Sequence, residues 1–370
     1  MKLLAAWSAR AMATIRVLVA DDSMTVRRRL CQALSTDSAI QVVAEASDGQ
    51  TATALCRQLR PDVVTMDVMM PVMDGVTATE YIMANCPTPI LVVSASSNRG
   101  QVLQTFDALA AGAIDVLDKP NGLVPEGVWE RELVAAVKMV SRIQPIRRSS
   151  INRRARVPAA AAKAVEMPAC ESDETVIVAI GASIGGPSAI AKILSQIPDD
   201  FPLSILLVIH IAPEFAEGLV QWIARLSGRN VRVAVDEEPM PRPGRSELIM
   251  APPDRHLTVC DYRLRVTSDP PRHLCRPSID ELFESVAREC GSQAIACLLT
   301  GMGKDGAAGL LAVRRSGGRT IAQDEASSVV FGMPREAIAL DAAQVILPLA
   351  NVAKTLCEMA RRRPRDGAYL

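Results

Sequence analysis

VIVAIGASIGGPSAI, residues 176–190, decides how the second half of this chain folds. Its first five residues are apolar and β-branched-rich, the pattern of a buried strand. Gly181-Ala182-Ser183-Ile184-Gly185 follows, matching G-x-S-x-G, a sharp strand-to-helix turn whose small flanking residues let a hydroxyl project. Pro187 suits the first turn of the next helix, which the pattern predicts over Ser188–Gln196. The turn amides and the helix N-terminus would favour a developing oxyanion beside Ser183. Gly-rich turns of this kind also bind phosphates and dinucleotides, so the motif alone leaves the chemistry open.

Outward from this turn, further strands are predicted at LSILLVIHI (203–211), Val231–Val235, Ala294–Leu299, Thr320–Ala322 and Val345–Leu347, with helices at Ile279–Cys290 and Ala307–Arg315. Residues 239–254, rich in Pro and Gly, read as a long loop or small hairpin excursion. The alternation implies a doubly wound α/β domain with its function at the carboxyl ends of the strands. A dinucleotide site would need an acidic residue at the end of the second strand, about 20 positions on. His210 stands there instead. A histidine beside a serine meets the need for a general base, and Asp305, in LLTGMGKDG, can fix its tautomer and stabilise the imidazolium. The other two histidines, His256 and His273, fall in loop-like segments and suit surface or loop-stabilising roles.

The first half repeats the βα rhythm. Apolar runs at Ile15–Ala20, Val42–Ala46, Val63–Met66, Ile90–Val93 and Ile114–Leu117 are followed by amphipathic stretches such as Thr25–Leu34 and Glu130–Val140. Five such units predict a second doubly wound parallel sheet. Asp21 and Asp22 end its first strand, Asp67 its third and Lys119 its fifth. Clustered carboxylates repel and need a cation, and hard oxygen ligands suit Mg²⁺. The metal would free one carboxylate to act as a nucleophile toward a phosphoryl group. Lys119 would balance the added charge, and Ser94 would bond a phosphoryl oxygen.

This half resembles the response-regulator receiver family, of flavodoxin-like fold. The resemblance implies that Asp67 is the phosphoacceptor, that Asp21 and Asp22 with Asp67 hold Mg²⁺, and that Ser94 and Lys119 are switch residues. Receivers usually carry Tyr or Phe where this chain has Val116, so the aromatic half of the switch is missing. In the second half, IGASIGGPSAI, HIAPEF, APPDRH, RPSIDELF, LTGMGKDGAAGLL and QDEASSVVFGMPREAI resemble the catalytic domain of the chemotaxis protein-glutamate methylesterase/glutamine deamidase (CheB) family. That resemblance implies a Ser183–His210–Asp305 triad, with the amide of Met302 bordering the oxyanion site and no cofactor in the catalytic domain. It implies demethylation of glutamate methyl esters, and deamidation of glutamines, on methyl-accepting chemotaxis receptors, with a chemotaxis histidine kinase as phosphodonor. The family's turn usually has Thr where Ile184 stands, so retained but altered activity is expected.

The expected organisation is an N-terminal extension (1–14), a receiver domain (15–141), a flexible linker (142–174) marked by RIQPIRRSSINRRARVPAAAAKAV, a catalytic domain (175–360) and a tail (361–370). MKLLAAWSARAMA is too short in its apolar core for a secretion signal, and Met12 just before the first strand suggests a later start. Nine scattered Cys with no C-x-x-C pair fit a reducing, cytoplasmic setting. No apolar run reaches the roughly 20 residues that span a bilayer, so no membrane insertion is expected. A formal net charge of zero argues against nucleic acid as a general partner. The competing reading is a receiver-linked DNA-binding transcription factor. It would need a basic helix-turn-helix at the C-terminus, where this chain has apolar strands and a short Arg361–Arg363 run followed by Pro364. A nucleotide-binding oxidoreductase is disfavoured by the missing second-strand acid and the lack of a full G-x-G-x-x-G.

Overall fold

The computed structural model of the chain describes residues 14–95, 99–119, 127–143 and 177–361. The expected extension, linker and tail lie almost wholly outside them. The chain divides into two compact units, one built from residues up to 147 together with Ala212–Trp222, the other from the remainder.

In the first unit, strands and helices alternate as β1 (Ile15–Ala20), α1 (Met24–Ser35), β2 (Ile40–Ala46), α2 (Gly49–Leu59), β3 (Val63–Met66), α3 (Gly75–Asn85), β4 (Ile90–Ser94), α4 (Arg99–Ala111), β5 (Asp115–Asp118) and α5 (Val128–Val140). All five strands are parallel, in the order β2-β1-β3-β4-β5. Every residue of β3 and β4 is buried, because helices cover both faces, and this explains their unbroken apolar runs. Short side chains start the helices. Ser23, Asp48 and Asp74 accept bonds from the amides of Val26, Thr51 and Thr77, each cap contributing about 1 kcal/mol. The order reverses between β1 and β3, and their register pairs Ala20 with Met66. The next residue on each strand is an aspartate, Asp21 and Asp67, so the topology alone sets the two acids side by side.

The second unit contains β6 (Ile177–Ala182), α6 (Gly186–Leu194), β7 (Ser204–Ile209), α7 (Pro213–Ser227, whose first ten residues belong to the first unit), β8 (Asn230–Val233), β9 (Glu247–Met250), β10 (His256–Cys260), β11 (Arg263–Thr267), α8 (Ile279–Cys290), β12 (Ala294–Leu298), α9 (Ala307–Arg315), β13 (Arg319–Gln323), α10 (Met333–Ala339), β14 (Val345–Leu347) and α11 (Leu349–Arg361). Seven parallel strands form one sheet, ordered β14-β13-β12-β6-β7-β9-β8. Its core includes Leu206, Val208 and Ala296 of the sheet with Leu282, Phe283 and Val286 of α8 and Leu310 and Val313 of α9.

Two expectations need correction here. Residues 239–254 are not merely a loop or hairpin, since Glu247–Met250 forms β9 inside the parallel sheet. Four residues between Pro- and Gly-rich flanks carry little local signal. What makes them a strand is pairing with Ile205–Leu207 on one side and Asn230–Val233 on the other. His256 is not in a loop. It opens β10 of an antiparallel hairpin whose turn residues Asp261 and Tyr262 have φ of 52° and 53°, and it is 1% exposed. Its Nδ1 accepts from the Ser278 amide at 3.1 Å, which is a structural role.

Candidate active site

The chain adds strands on opposite sides of β6, which makes it the second unit's switch point. On one side Ala182 pairs with Ile209, so the next residues along, Ser183 and His210, sit at neighbouring strand tips. The His210 amide donates to the Ala182 carbonyl at 3.0 Å. On the other side β12 delivers the loop from Leu299 to Asp305, and the Ser183 amide donates to the Thr300 carbonyl at 3.0 Å. Gly185, at φ 74°, turns the chain into α6 in a conformation that side chains with a Cβ rarely adopt. Gly301 lies against the serine, where an added Cβ would fall 2.7 Å from Ser183 Cβ, so the loop can approach only without a side chain.

Asp305 is buried at the N-terminus of α8 and is held by four donors. Its Oδ2 faces His210 Nε2 at 2.9 Å and accepts from the Ile279 amide at 2.7 Å. Its Oδ1 accepts from Ser278 Oγ at 2.7 Å and from the Asp280 amide at 3.1 Å. Burial by itself would raise the Asp305 carboxyl, but the bonds from His210, the Ile279 amide and Ser278 outweigh it and hold it below the ordinary carboxylate range. Burial likewise opposes charge on His210. The Asp305 bond, with Cys275 beside the ring, outweighs that and lifts the imidazole to about 9.

With Nε2 turned to Asp305, the nitrogen left to act as a base is Nδ1. No hydrogen bond joins Ser183 Oγ to His210 among the described residues, so the structure brings two of the three expected partners into contact and leaves the third adjacent. Catalytic hydrogen bonds often tighten only in the substrate complex. Ser183 itself is 8% exposed. The amides of Ile184 and Met302 make no hydrogen bond among the described residues, and the Met302 side chain is 58% exposed. The Ile184 carbonyl accepts from Thr300 Oγ1 at 2.9 Å, so the loop carrying Met302 is tied to the serine turn through backbone rather than through side chain 184.

In the first unit Lys119 Nζ bridges Asp21 Oδ2 at 2.8 Å and Asp67 Oδ2 at 2.9 Å. Carboxylate oxygens of Asp21, Asp22 and Asp67 lie within 4.8 Å of one another. Burial pushes the Asp67 carboxyl up to about 6, with Lys119 opposing and Asp21 reinforcing the rise, and burial also raises Asp21. One ammonium therefore does not neutralise the pair. Asp67 Oδ1 and Ser94 Oγ are buried with no hydrogen-bond partner among the described residues. This all-oxygen, under-neutralised set fits Mg²⁺ and a phosphoryl group. Val116 is half-buried in β5, beside Val92 of β4.

Residues 178–356 match the family described as CheB methylesterase, and residues 17–124 match the response regulator receiver domain. The protein-glutamate methylesterase/protein-glutamine glutaminase 2 of Anaeromyxobacter dehalogenans is 42% identical over 349 residues, covering 94% of this chain and 97% of that one. The chain belongs to the CheB methylesterase family. A CheB-family relative in Nitrosospira multiformis, named protein-glutamate methylesterase/protein-glutamine glutaminase, is 42% identical over 353 residues, covering 94% of this chain and 98% of its own. The solved CheB methylesterase catalytic domain of Thermotoga maritima is 34% identical and covers 50% of this chain and 100% of its own length, at a TM-score of 0.47.

As a CheB-family member the chain is a methylesterase-type hydrolase behind a receiver domain, which removes the transcription-factor reading. One residue of the site escaped the sequence reading. Ser278 both donates to Asp305 and caps α8 by accepting from the Glu281 amide at 3.4 Å. The signal was present as Ser278-x-x-Glu281, a capping-box pattern three residues ahead of an apolar run.

Two predictions arise at this site. An imidazole near 9 is mostly protonated at neutral pH, so kcat/KM should climb about tenfold per pH unit from neutrality and level off near 9. The pair's stability runs the other way. His210, raised above its unfolded value, contributes fully below about 6.5 and loses that contribution as pH rises through 9. Asp305, held low, contributes above about 4 and loses it in acid. A flat pH–rate profile between 7 and 9 would contradict a neutral His210 base. The second prediction concerns Ile184, whose carbonyl already bonds Thr300. Ile184→Thr should change turnover by less than about tenfold, because the turn amides do not depend on side chain 184. A larger change in a steady-state assay would assign the hydroxyl a direct part.

Proposed function

We propose that the protein is a phosphorylation-activated hydrolase that demethylates glutamate methyl esters, and deamidates glutamines, on methyl-accepting chemotaxis receptors in the cytoplasm. The observation that carries this reading is the 2.9 Å bond between His210 Nε2 and Asp305, with Ser183 one strand tip away by register. In the reaction, His210 Nδ1 takes the Ser183 proton while Ser183 Oγ attacks the ester carbonyl. The amides of Ile184 and Met302 hold the developing oxyanion. His210 returns the proton to the leaving methoxide, and methanol departs. Water, deprotonated by the same nitrogen, then hydrolyses the acyl-enzyme and restores Ser183. For a glutamine the leaving group is ammonia. A positioned base contributes roughly 10²–10⁴-fold and one oxyanion donor about 10²–10³-fold.

Control is assigned to the first unit. Asp67 receives a phosphoryl group from a chemotaxis histidine kinase, and Asp21, Asp22 and Asp67 would hold Mg²⁺, which supplies charge neutralisation for that transfer. Lys119 balances the phosphoryl charge and Ser94 Oγ, without a partner among the described residues, bonds one of its oxygens. In the unphosphorylated protein the receiver restrains hydrolysis, and the added charge on Asp67 shifts the population toward the active form. The test is methanol release from methylated receptor membranes, with and without a small-molecule phosphodonor and Mg²⁺. Wild-type release should rise several-fold with the phosphodonor. Asp67→Asn should keep the basal rate and lose the stimulation. Equal stimulation of both proteins would refute this assignment of the phosphoacceptor.

A further inference from the structure

Cys275 has no part in the hydrolysis described above, yet its Sγ lies 3.8 Å from His210 Nδ1, the nitrogen assigned as base. The thiol is a built feature of the loop. The Arg272 amide donates to the Cys275 carbonyl at 3.1 Å and the Cys275 amide donates back at 2.8 Å, closing a tight turn whose central residues, His273 and Leu274, have φ of 52° and 64°. Arg272 anchors that turn to α8 through two bonds to Glu284, at 2.8 and 2.6 Å, and one to Glu281 at 3.1 Å. On the next residue Arg276 Nε donates to Asp254 Oδ1 at 2.8 Å. Cys275 is half-buried, forms no disulfide among the described residues, and its thiol also donates to the His273 carbonyl at 3.5 Å.

A nitrogen and a sulfur at this spacing can share one ion. With Zn–N of about 2.0–2.1 Å and Zn–S of about 2.3 Å, a 3.8 Å separation gives an N–Zn–S angle of about 120°, near the tetrahedral preference of zinc. His210, Cys275 and Asp305 each offer a ligand-type atom, all within 4.8 Å of one another. Asp305 already holds Nε2, so its part is the outer one, a carboxylate that orients a metal-bound imidazole and raises its basicity. We propose that His210 Nδ1 and Cys275 Sγ form a binding site for a thiophilic divalent cation, Zn²⁺ in the first instance, and that occupancy switches the hydrolase off. Binding releases to solvent the Cys275 thiol proton and, below about pH 9, the proton on His210 Nδ1, and the cation then holds the Nδ1 lone pair that would accept the Ser183 proton. No redox step is involved.

The site itself stands on geometry, whereas the inhibition rests on the proposed hydrolase reading, and the experiment separates them. Full-length protein is titrated with Zn²⁺ in the methanol-release assay and, in parallel, with Co²⁺ while absorption is recorded. Zn²⁺ should inhibit the wild type, a chelator should restore the rate, and Cys275→Ser, still turning over, should need at least tenfold more Zn²⁺. Co²⁺ should give a thiolate-to-metal charge-transfer band in the near ultraviolet that is lost in Cys275→Ser and in His210→Gln. Equal inhibition of wild type and Cys275→Ser, or a band that persists in either variant, would overturn the site. A chain that releases no methanol but shows the band in the wild type and loses it in both variants would leave the cation site standing and remove the hydrolase reading instead.

Discussion

Ser183→Ala should reduce methanol release from methylated receptor membranes to background, a fall on the order of 10⁶ in turnover, the scale on which serine hydrolases fail when the nucleophile is removed. The residue's surroundings isolate that effect. Its amide is bonded to Thr300 and its carbonyl accepts from Gly186 at 2.7 Å, so the turn is held by backbone and should survive loss of the hydroxyl. The thermal midpoint should therefore hardly move, because Oγ makes no bond among the described residues that would be left unmet. Any rate that remains reports transition-state binding by the turn amides alone. Release within tenfold of wild type, from protein with an unchanged midpoint, would eliminate Ser183 as nucleophile.

Asp305→Asn should lower turnover by about 10⁴-fold and, unlike the serine change, should also destabilise the fold. All four groups around this carboxylate are donors or ring N–H groups, namely His210, Ser278 and the amides of Ile279 and Asp280. An asparagine must turn its NH₂ toward one pair of them. Facing the Oδ2 side, it opposes the Ile279 amide and forces the imidazole into the tautomer with the proton on Nδ1, where no proton can be taken from Ser183. Facing the Oδ1 side, it opposes the Asp280 amide. Each arrangement leaves a buried N–H without an acceptor, a cost of about 1–3 kcal/mol. The pH–rate profile of the residual activity should shift to lower pH, since the bond that lifts His210 is weakened. Steady-state kinetics and thermal melts check both parts. Near-wild-type turnover would reduce Asp305 to a helix-capping residue.

Much of both centres was legible before any coordinates because parallel sheets place function at strand tips, and tips can be counted. Asp21, Asp67, Ser183 and His210 each stand one residue past the end of an apolar run or at its turn, and register does the rest. Lys119 follows the same rule, although its bridge to both Asp21 and Asp67 goes beyond the balancing of phosphoryl charge that was expected of it. What could not be read depends on contacts distant in the chain. β9 is four residues whose strand character comes from its two neighbours. His256 reads as a loop residue because its acceptor role toward Ser278 spans 22 positions. Cys275 reads as one scattered cysteine among nine, and only the turn that Arg272 fixes brings it to His210. The Ser183–His210 bond, absent among the described residues, belongs to the same class, since the placing of side chains at two neighbouring tips leaves no trace in residue order.

The packing of Gly301 against Ser183 has a practical consequence for anyone wishing to broaden what this hydrolase accepts. The wall behind the serine is the Gly301 backbone, packed between Ser183 Cβ and the Met333 side chain, with no room for even a methyl group. Acyl-group preference therefore cannot be tuned from that direction without displacing the nucleophile. Libraries should hold position 301 fixed and diversify Met302 instead, whose side chain projects outward and can be reshaped while its amide stays in place.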